Sequence, residues 1–260
     1  MTLQDNQFRR KEWDVTATID DISSQHELPL RRIRLACIWA WPVCVITFGI
    51  FFAVIAGFIP PPGESWSAAR IAEFYANNRS AIRAGLIGAM FASALLLPFF
   101  AVVSAEMKKI EGPNALLAQI QYGAAVMLTV IFQIICLFWL LASFRPEISP
   151  EIIRAFNDYG WLCWTIFIPT YSMQYICMAI AAFIDRRPQP AWPRWAAYCN
   201  LWVAVTGAGG VLAVFFKTGP FSWNGIIGFW IPTLVFVAGT CMNAGLLHRR
   251  FRYECEPRPL

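Results

Sequence analysis

Six long apolar runs separated by short polar segments dominate the chain. They cover residues 35–59, 81–105, 115–144, 159–184, 195–216 and 223–247. About 20 apolar residues suffice for a helix to cross a bilayer, so each run is long enough. The pattern therefore predicts an all-α integral membrane bundle of six transmembrane helices. The bundle forms one domain, residues 35–247, between polar tails at residues 1–34 and 248–260.

The composition supports a membrane protein. The chain is 58% hydrophobic and only 14% charged, whereas about 25% of the residues in an average soluble domain are charged. The net charge of +5 comes from short basic clusters beside the apolar runs, not from a dense basic tract. We therefore expect the lipid bilayer as a partner and no nucleic acid. The first 34 residues lack the pattern of a signal peptide and contain a predicted short helix at Thr16–Ser23.

The basic residues predict the orientation of the bundle. If the N-terminus is inside, cytosolic segments contain 15 of the 21 Lys and Arg residues, and segments on the other side contain six. Basic residues concentrate on the cytoplasmic side of membrane proteins. We therefore expect both the N-terminus and the C-terminus to be cytosolic.

The third run is uncharged but carries a row of polar side chains. The row is Gln119, Tyr122, Val126, Thr129, Gln133 and Cys136, at steps of three and four. Such steps place side chains on one face of a helix. Because an unpaired polar side chain is costly in lipid, we predict that this face points inward, toward other helices or a small wet cavity.

The fourth run contains a proline with polar neighbours. Pro169 should kink the helix and free a carbonyl group. Five residues with hydroxyl or amide side chains follow it closely: Thr170, Tyr171, Ser172, Gln174 and Tyr175. This arrangement is typical of binding sites and equally of helix packing. The candidate polar intramembrane site is Gln119, Tyr122, Thr129, Gln133, Tyr171, Gln174, Tyr175 and Asn243.

Three local patterns predict packing. Small residues at Ala81, Gly85, Ala89 and Ser93 favour close approach of a second helix. Glu106 and Lys109 are three residues apart and predict an ion pair at the membrane interface, with a functional intramembrane carboxylate as the alternative. Ser65 is a predicted cap for a short helix at 66–77, either interfacial or a packed connector.

Several kinds of chemistry are excluded. The two histidines, His26 and His248, lie outside the predicted core, which argues against bis-histidine haem, histidine metal clusters and an intramembrane serine protease. The glycines at 207–210 lack the sequence context of a phosphate loop. The eight cysteines contain no CxxC pair and suit a packing role. We predict no catalytic residue, metal or cofactor.

Three segments carry a resemblance to a known group of proteins. They are Ala68-Ala69-Arg70-Ile71-Ala72-Glu73-Phe74-Tyr75-Ala76-Asn77-Asn78-Arg79, then Ile82-Arg83-Ala84-Gly85, and Lys108-Lys109-Ile110-Glu111-Gly112 after the second run. Across the first four runs the chain resembles a group of bacterial six-span membrane proteins filed as a domain of unknown function. The resemblance implies this topology and the bacterial inner membrane, and no activity.

Two functions fit these patterns. The first is an accessory or interaction subunit, with a membrane-protein partner or as a homo-oligomer. The second is a small facilitator or channel for an uncharged or weakly polar solute, lined by the candidate polar residues. A membrane enzyme ranks third. The two leading hypotheses differ in whether the polar face of the third run meets a continuous cavity or bonds within the bundle.

Overall fold

The computed structural model describes residues 30–253, which form seven helices. The predicted tail helix at Thr16–Ser23 lies outside the described residues. The helices are α1 (Leu30–Ile55), α2 (Ala68–Asn77), α3 (Arg79–Glu111), α4 (Leu116–Phe144), α5 (Pro150–Ile184), α6 (Arg194–Val214) and α7 (Ile226–Arg252).

All of these helices except α2 are long and apolar enough to cross a membrane. The predicted all-α bundle of six transmembrane helices is confirmed, and the fold is that of a multi-pass membrane protein. The rings of Trp39 on α1 and His248 on α7 are 5.8 Å apart, so the first and last helices meet at one end of the bundle. We call this the terminal end and the opposite one the distal end.

Prolines interrupt three of the long helices. A proline lacks the N–H group that would bond to the carbonyl four residues earlier, and its ring clashes with that carbonyl. In α3, residues 94–95 interrupt the helix before Pro98, and in α5 the interruption is at Phe167, before Pro169. In α7, a π-helical turn at Ile226–Trp230 precedes Pro232. The predicted kink at Pro169 is therefore present, as a break two residues earlier.

The helix α5 begins at Pro150, upstream of the apolar run that starts at residue 159. Ser149 is its N-cap residue and Pro150 occupies the first turn, where a proline costs no hydrogen bond. This first part carries Glu151, Arg154 and Asp158, and hydropathy therefore marked only the later part as a span.

The short helix α2 is a packed connector. Its N-cap is Ser67, whose hydroxyl accepts from the Arg70 N–H at 3.3 Å, so the predicted cap at Ser65 was wrong. Ser67 has the extended backbone that a cap requires, directly before the first helical residue. Tyr75 is buried, and its hydroxyl lies 3.3 Å from Asn157 Oδ1 of α5.

Glycines let the helices approach closely. A Cβ atom on Gly160 of α5 would lie 2.3 Å from the indole nitrogen of Trp139 on α4. A Cβ on Gly85 of α3 would lie 2.5 Å from the Phe51 carbonyl of α1. Such distances are too short for any other residue, and small residues at helix contacts stabilise bundles in lipid.

Four charged side chains join α3 to the α5–α6 loop at the terminal end. Glu106 contacts Lys109 at 2.8 Å and Arg187 at 2.9 Å, and Arg187 contacts Asp185 at 2.8 Å. Both carboxylates have no exposed side-chain surface. Although burial opposes ionisation of Asp185, hydrogen bonds from Arg187 keep its pKa below the ordinary value. The predicted Glu106–Lys109 pair is confirmed.

We expect Arg187→Ala to lower the free energy of unfolding by about 3 kcal/mol, because it leaves two buried carboxylates short of their shared cation. The measurement is denaturant unfolding in mixed micelles. Arg145→Ala is the control, since the Arg145–Glu147 pair is 3.9 Å apart with both side chains exposed, and we expect a change below about 0.5 kcal/mol. Equal effects of the two substitutions would contradict this interpretation.

Candidate functional site

The predicted polar face of α4 does not point in one direction. Thr129 and Cys136 are buried and Gln133 is half-buried, but Gln119 is exposed and Tyr122 is 37% exposed. Val126 is also 37% exposed, so the predicted inward orientation was wrong for Gln119, Tyr122 and Val126. With 29 residues, α4 is about 44 Å long and exceeds the hydrocarbon core of about 30 Å. A helix of this length extends beyond the hydrocarbon core, and exposed polar groups on turns outside that core are hydrated.

The buried seam of α4 runs one position away from the predicted row. It consists of residues at steps of three and four: Ala118, Gln121, Ala125, Leu128, Ile131, Ile135, Trp139 and Ala142. Such a heptad-like seam is typical of a helix packed against a nearly antiparallel neighbour. Most of its members are apolar, so in a membrane protein hydropathy does not separate this seam from a lipid-facing one.

The polar side chains in the middle of α4 bond within the bundle. Gln133 Nε2 donates to the Met90 carbonyl at 2.9 Å and to Ser93 Oγ at 2.7 Å, both on α3. Thr129 donates to the Ala125 carbonyl of its own helix at 3.0 Å. Gln133 therefore joins α4 to α3, Thr129 bonds within α4, and neither residue lines the cavities described below.

The polar residues of α5 join α6 and α7 in the same way. Tyr171 donates to the Val203 carbonyl at 2.8 Å, and the Tyr175 hydroxyl bonds to Thr240 Oγ1. Asn243 Nδ2 donates to Asn200 Oδ1 at 2.8 Å. Sequence reasoning identified Tyr175 and Asn243 but missed their partners Thr240 and Asn200, which single polar positions in apolar runs do not reveal.

Two glutamine amides lie in the same part of the bundle. Gln121 and Gln174 have no exposed surface, and neither amide has a hydrogen-bond partner among the described residues. Trp139 Nε1 donates to the Asn157 carbonyl, and α4 and α5 are antiparallel, so Gln121 lies level with the turn of Gln174 and Tyr175. We call the six residues Gln121, Gln174, Tyr175, Asn200, Thr240 and Asn243 the polar layer.

Two apolar cavities lie on the distal side of the polar layer. One, of about 90 Å³, lies among α4, α5, α6 and α7. The other, of about 240 Å³, lies among α1, α3, α4 and α7. Their walls share Phe132, Trp164, Phe229, Thr233 and Phe236, and we call the two cavities together the chamber. Of the eight residues in the predicted polar site, only Tyr171 lines it.

The chamber opens sideways between α1 and α7. Gly49 and Ala53 of α1 face Trp230 and Leu234 of α7 across this opening, and Leu234 is 61% exposed. Toward the terminal end the two helices meet, where Trp41 Nε1 donates to Cys241 Sγ at 3.2 Å. The parts of α1 and α7 that line the chamber on both sides of this opening therefore lie mainly in the distal half of the bundle.

Both sides of the opening carry a π-helical turn, Ile50–Ile55 in α1 and Ile226–Trp230 in α7. The turn of α1 packs against α3 and that of α7 packs against the last turns of α6, so the space between them remains. Isolated π-helical turns are rare and occur frequently at functional sites. Their coincidence at one cavity marks the chamber as the candidate site.

Aromatic rings form the inner wall of the chamber. The rings of Phe52 and Trp164 stack with centroids 5.4 Å apart and an interplanar angle of 14°, and Phe229 lies 5.9 Å from Trp164. The hydroxyl groups in the wall belong to Ser93, Thr165, Tyr171 and Thr233. Such a wall suits an apolar or weakly polar molecule.

No match is found to any protein-family model, to any curated protein or to any solved structure. The fold and the chamber define a multi-pass α-helical membrane protein with an apolar cavity lined by both its first and its last helix.

We expect Gln133→Leu to lower the free energy of unfolding by about 1 kcal/mol, because it removes two hydrogen bonds between α3 and α4. Gln119→Leu is the matched control on the same helix; its side chain is exposed, and the expected change is below about 0.5 kcal/mol. Denaturant unfolding in mixed micelles measures both. A larger effect at Gln119 would show that the predicted face of α4 is the buried one after all.

Proposed function

We propose that this protein binds a small apolar or weakly polar molecule that enters the chamber sideways from the bilayer. The observation that supports this proposal best is the opening between α1 and α7. It connects the lipid to a cavity of about 240 Å³, larger than engineered protein cavities that bind benzene. A membrane-dissolved molecule reaches this site without crossing water.

The affinity of such a site would come from shape and contact. Lipid tails are as apolar as the chamber wall, so leaving the bilayer brings an apolar molecule no hydrophobic gain. Close contact with rigid rings such as Phe52, Trp164 and Phe229 supplies dispersion energy that fluid lipid tails supply less well. The hydroxyl groups of Thr233 and Tyr171 offer polar contacts for a weakly polar molecule.

The polar layer argues for binding in preference to passage. In the described residues the layer lies between the chamber and the terminal end. Four of its six side chains bond in two pairs, Tyr175 of α5 with Thr240 of α7 and Asn200 of α6 with Asn243 of α7. A solute that moved from the chamber to the terminal end would have to break these bonds. We therefore favour a binding protein over the facilitator or channel expected as the alternative.

We propose the bacterial inner membrane as the location, with both termini cytosolic. The asymmetric distribution of the 21 Lys and Arg residues supports the orientation. The resemblance of residues 68–79 and 82–85 to bacterial six-span proteins supports the membrane. In this orientation the chamber opens in the half of the bundle that is farther from the cytosol.

An accessory or interaction subunit is the second candidate function, and one surface favours it. Trp195, Tyr198, Trp202 and Val205 form a row on one face of α6 and are 54–69% exposed. Rigid aromatic side chains give large contact areas at low entropic cost, and they are enriched at protein interfaces. A transmembrane helix of a partner or of a second copy would cover this row.

We expect Gly49→Trp to block the chamber, because a Cβ at Gly49 has no atom within 4 Å and the indole would project into the opening. The probe is a phospholipid with a diazirine in its acyl chain, photolysed in nanodiscs. Wild-type protein should be labelled at Phe132 and Trp164, behind the opening, and Gly49→Trp should lose most of that labelling.

Gly123→Trp is the matched control, since a Cβ at Gly123 also has open space and the residue lies on the exposed side of α4. It should be labelled like the wild type. Wild-type protein that is labelled only on its outer surface would contradict the proposed binding function.

For the second candidate we expect Trp202→Leu to weaken a stoichiometric complex recovered by tagged purification from gently solubilised membranes. Trp39→Leu is the control, because Trp39 is 55% exposed but lies on α1. A complex that survives Trp202→Leu unchanged, or a wild-type chain that is recovered alone, would exclude interaction through this face of α6.

A further inference from the structure

Two loops meet at the distal end of the opening. They are the α1–α2 loop, residues 56–67, and the α6–α7 loop, residues 215–225. The Glu64 carboxylate accepts from the backbone N–H of Trp223, and Trp223 Nε1 donates to the Pro62 carbonyl at 2.9 Å. A Cβ on Gly63 would lie 3.0 Å from the Trp66 ring and 3.5 Å from the Asn224 amide, so the loops are in close contact. We call Pro62, Glu64 and Trp223 the clasp.

The clasp connects the two helices that border the chamber. The helix α1 ends at Ile55, seven residues before Pro62, and α7 begins at Ile226, three residues after Trp223. At the other end of the opening, Trp41 and Cys241 join the same two helices. Ile59, in the α1–α2 loop, itself lines the chamber. Release of the clasp would therefore remove the hydrogen bonds that join the two loops at the distal end and allow the opening to widen.

Burial of the Glu64 carboxyl group opposes its ionisation. One carboxylate oxygen, Oε2, is buried without a hydrogen-bond partner among the described residues. The charged groups that act on Glu64 are Asp158 of α5 and Lys217 of the α6–α7 loop. Burial is the largest influence and raises the pKa of Glu64 from an ordinary 4.5 to about 7; Asp158 also raises it, whereas the Trp223 N–H and Lys217 lower it.

We propose that Glu64 is a proton-controlled latch on the chamber, closed when its carboxyl is neutral and released when it is ionised. This inference rests on the proposed binding function of the chamber. It assigns the regulation of that site to the clasp, so that ligand entry and exit follow the pH on the distal side of the membrane.

The direction of the pH dependence follows from proton linkage. The closed clasp holds the Glu64 proton more tightly than an open clasp with a hydrated carboxyl, so protonation stabilises the closed state. That stabilisation is complete below the ordinary pKa of 4.5 and is lost as the pH rises to about 7. Between pH 6 and pH 8 the closed-to-open ratio should fall about tenfold.

Hydrogen exchange at the Trp223 amide measures the clasp directly, because this N–H donates to Glu64. Exchange is followed by mass spectrometry in nanodiscs and corrected for the intrinsic effect of pH with peptides from the exposed 145–149 loop. In the wild type, corrected exchange at Trp223 should rise about tenfold from pH 6 to pH 8. An unchanged corrected rate would overturn the proposal.

Glu64→Gln removes the proton equilibrium and keeps an oxygen that accepts from Trp223. Its exchange should be slow at both pH values. Glu147→Gln is the control, since Glu147 is exposed in another loop of the distal end, and it should behave like the wild type. Glu64→Gln that still shows the tenfold rise would assign the pH effect to another group.

Lys217→Gln gives a second measurement that does not alter the clasp itself. Lys217 lowers the pKa of Glu64, so its removal should move the rise in exchange to higher pH. A purely structural role for Glu64 would leave the midpoint unchanged, and such a result would contradict the proposal.

The two proposals fail in different ways. Exchange at Trp223 requires no ligand, so a pH-dependent clasp with no labelling inside the chamber at any pH would remove the binding function alone. Labelling inside the chamber that is equal at pH 6 and pH 8, with constant exchange at Trp223, would remove the latch and leave the binding function intact.

Discussion

Close contact between helices at glycine and at buried polar groups determines this structure. Helices in lipid gain little from burying apolar surface against one another, so dispersion contacts and interhelical hydrogen bonds have to hold them together. The Trp139–Gly160 contact shows this constraint, because the indole occupies the space that any Cβ would need. Gln133 adds hydrogen bonds to α3. Residues of α1 and α7, among them Gly49 and Leu234, instead line the chamber.

The same constraint explains the position of the chamber. Pro232 removes a backbone hydrogen bond at the beginning of α7, directly after the π-helical turn Ile226–Trp230. That turn packs against the end of α6, which holds it away from α1. Large rings such as Phe52 and Phe229 then border the space without filling it. On the terminal side of the chamber, the polar layer joins α7 to α5 and to α6 by hydrogen bonds.

Apolar runs predicted the number and order of the membrane helices well, because crossing a bilayer requires length and hydropathy that a sequence displays directly. The pairing of Glu106 with Lys109 was also visible, since it depends on helix spacing alone. The rotation of α4 about its own axis was not visible in the sequence. Gln119 and Tyr122 are polar but exposed near the beginning of α4, while the neighbouring seam with Ala118 and Ala125 is apolar and buried.

The chamber itself was beyond sequence analysis. Its wall consists of residues such as Phe132, Trp164 and Leu234, which in a membrane helix equally suit a lipid-facing position or a packed core. Only the relative placement of α1 and α7 turns them into a cavity. Glu64 likewise looked like an ordinary loop residue in the sequence. Only the structure shows that its carboxyl group accepts a hydrogen bond from the backbone N–H of Trp223, far along the chain.

The most direct test of the central claim is a cryo-electron microscopy map of the protein in lipid nanodiscs at a resolution that shows side chains. We expect α1 and α7 to diverge toward the distal end, with elongated non-protein density between Gly49 and Leu234 that reaches the rings of Phe52 and Trp164. A map in which the side chains of α1 and α7 interdigitate along their whole length, with no space behind them, would contradict it.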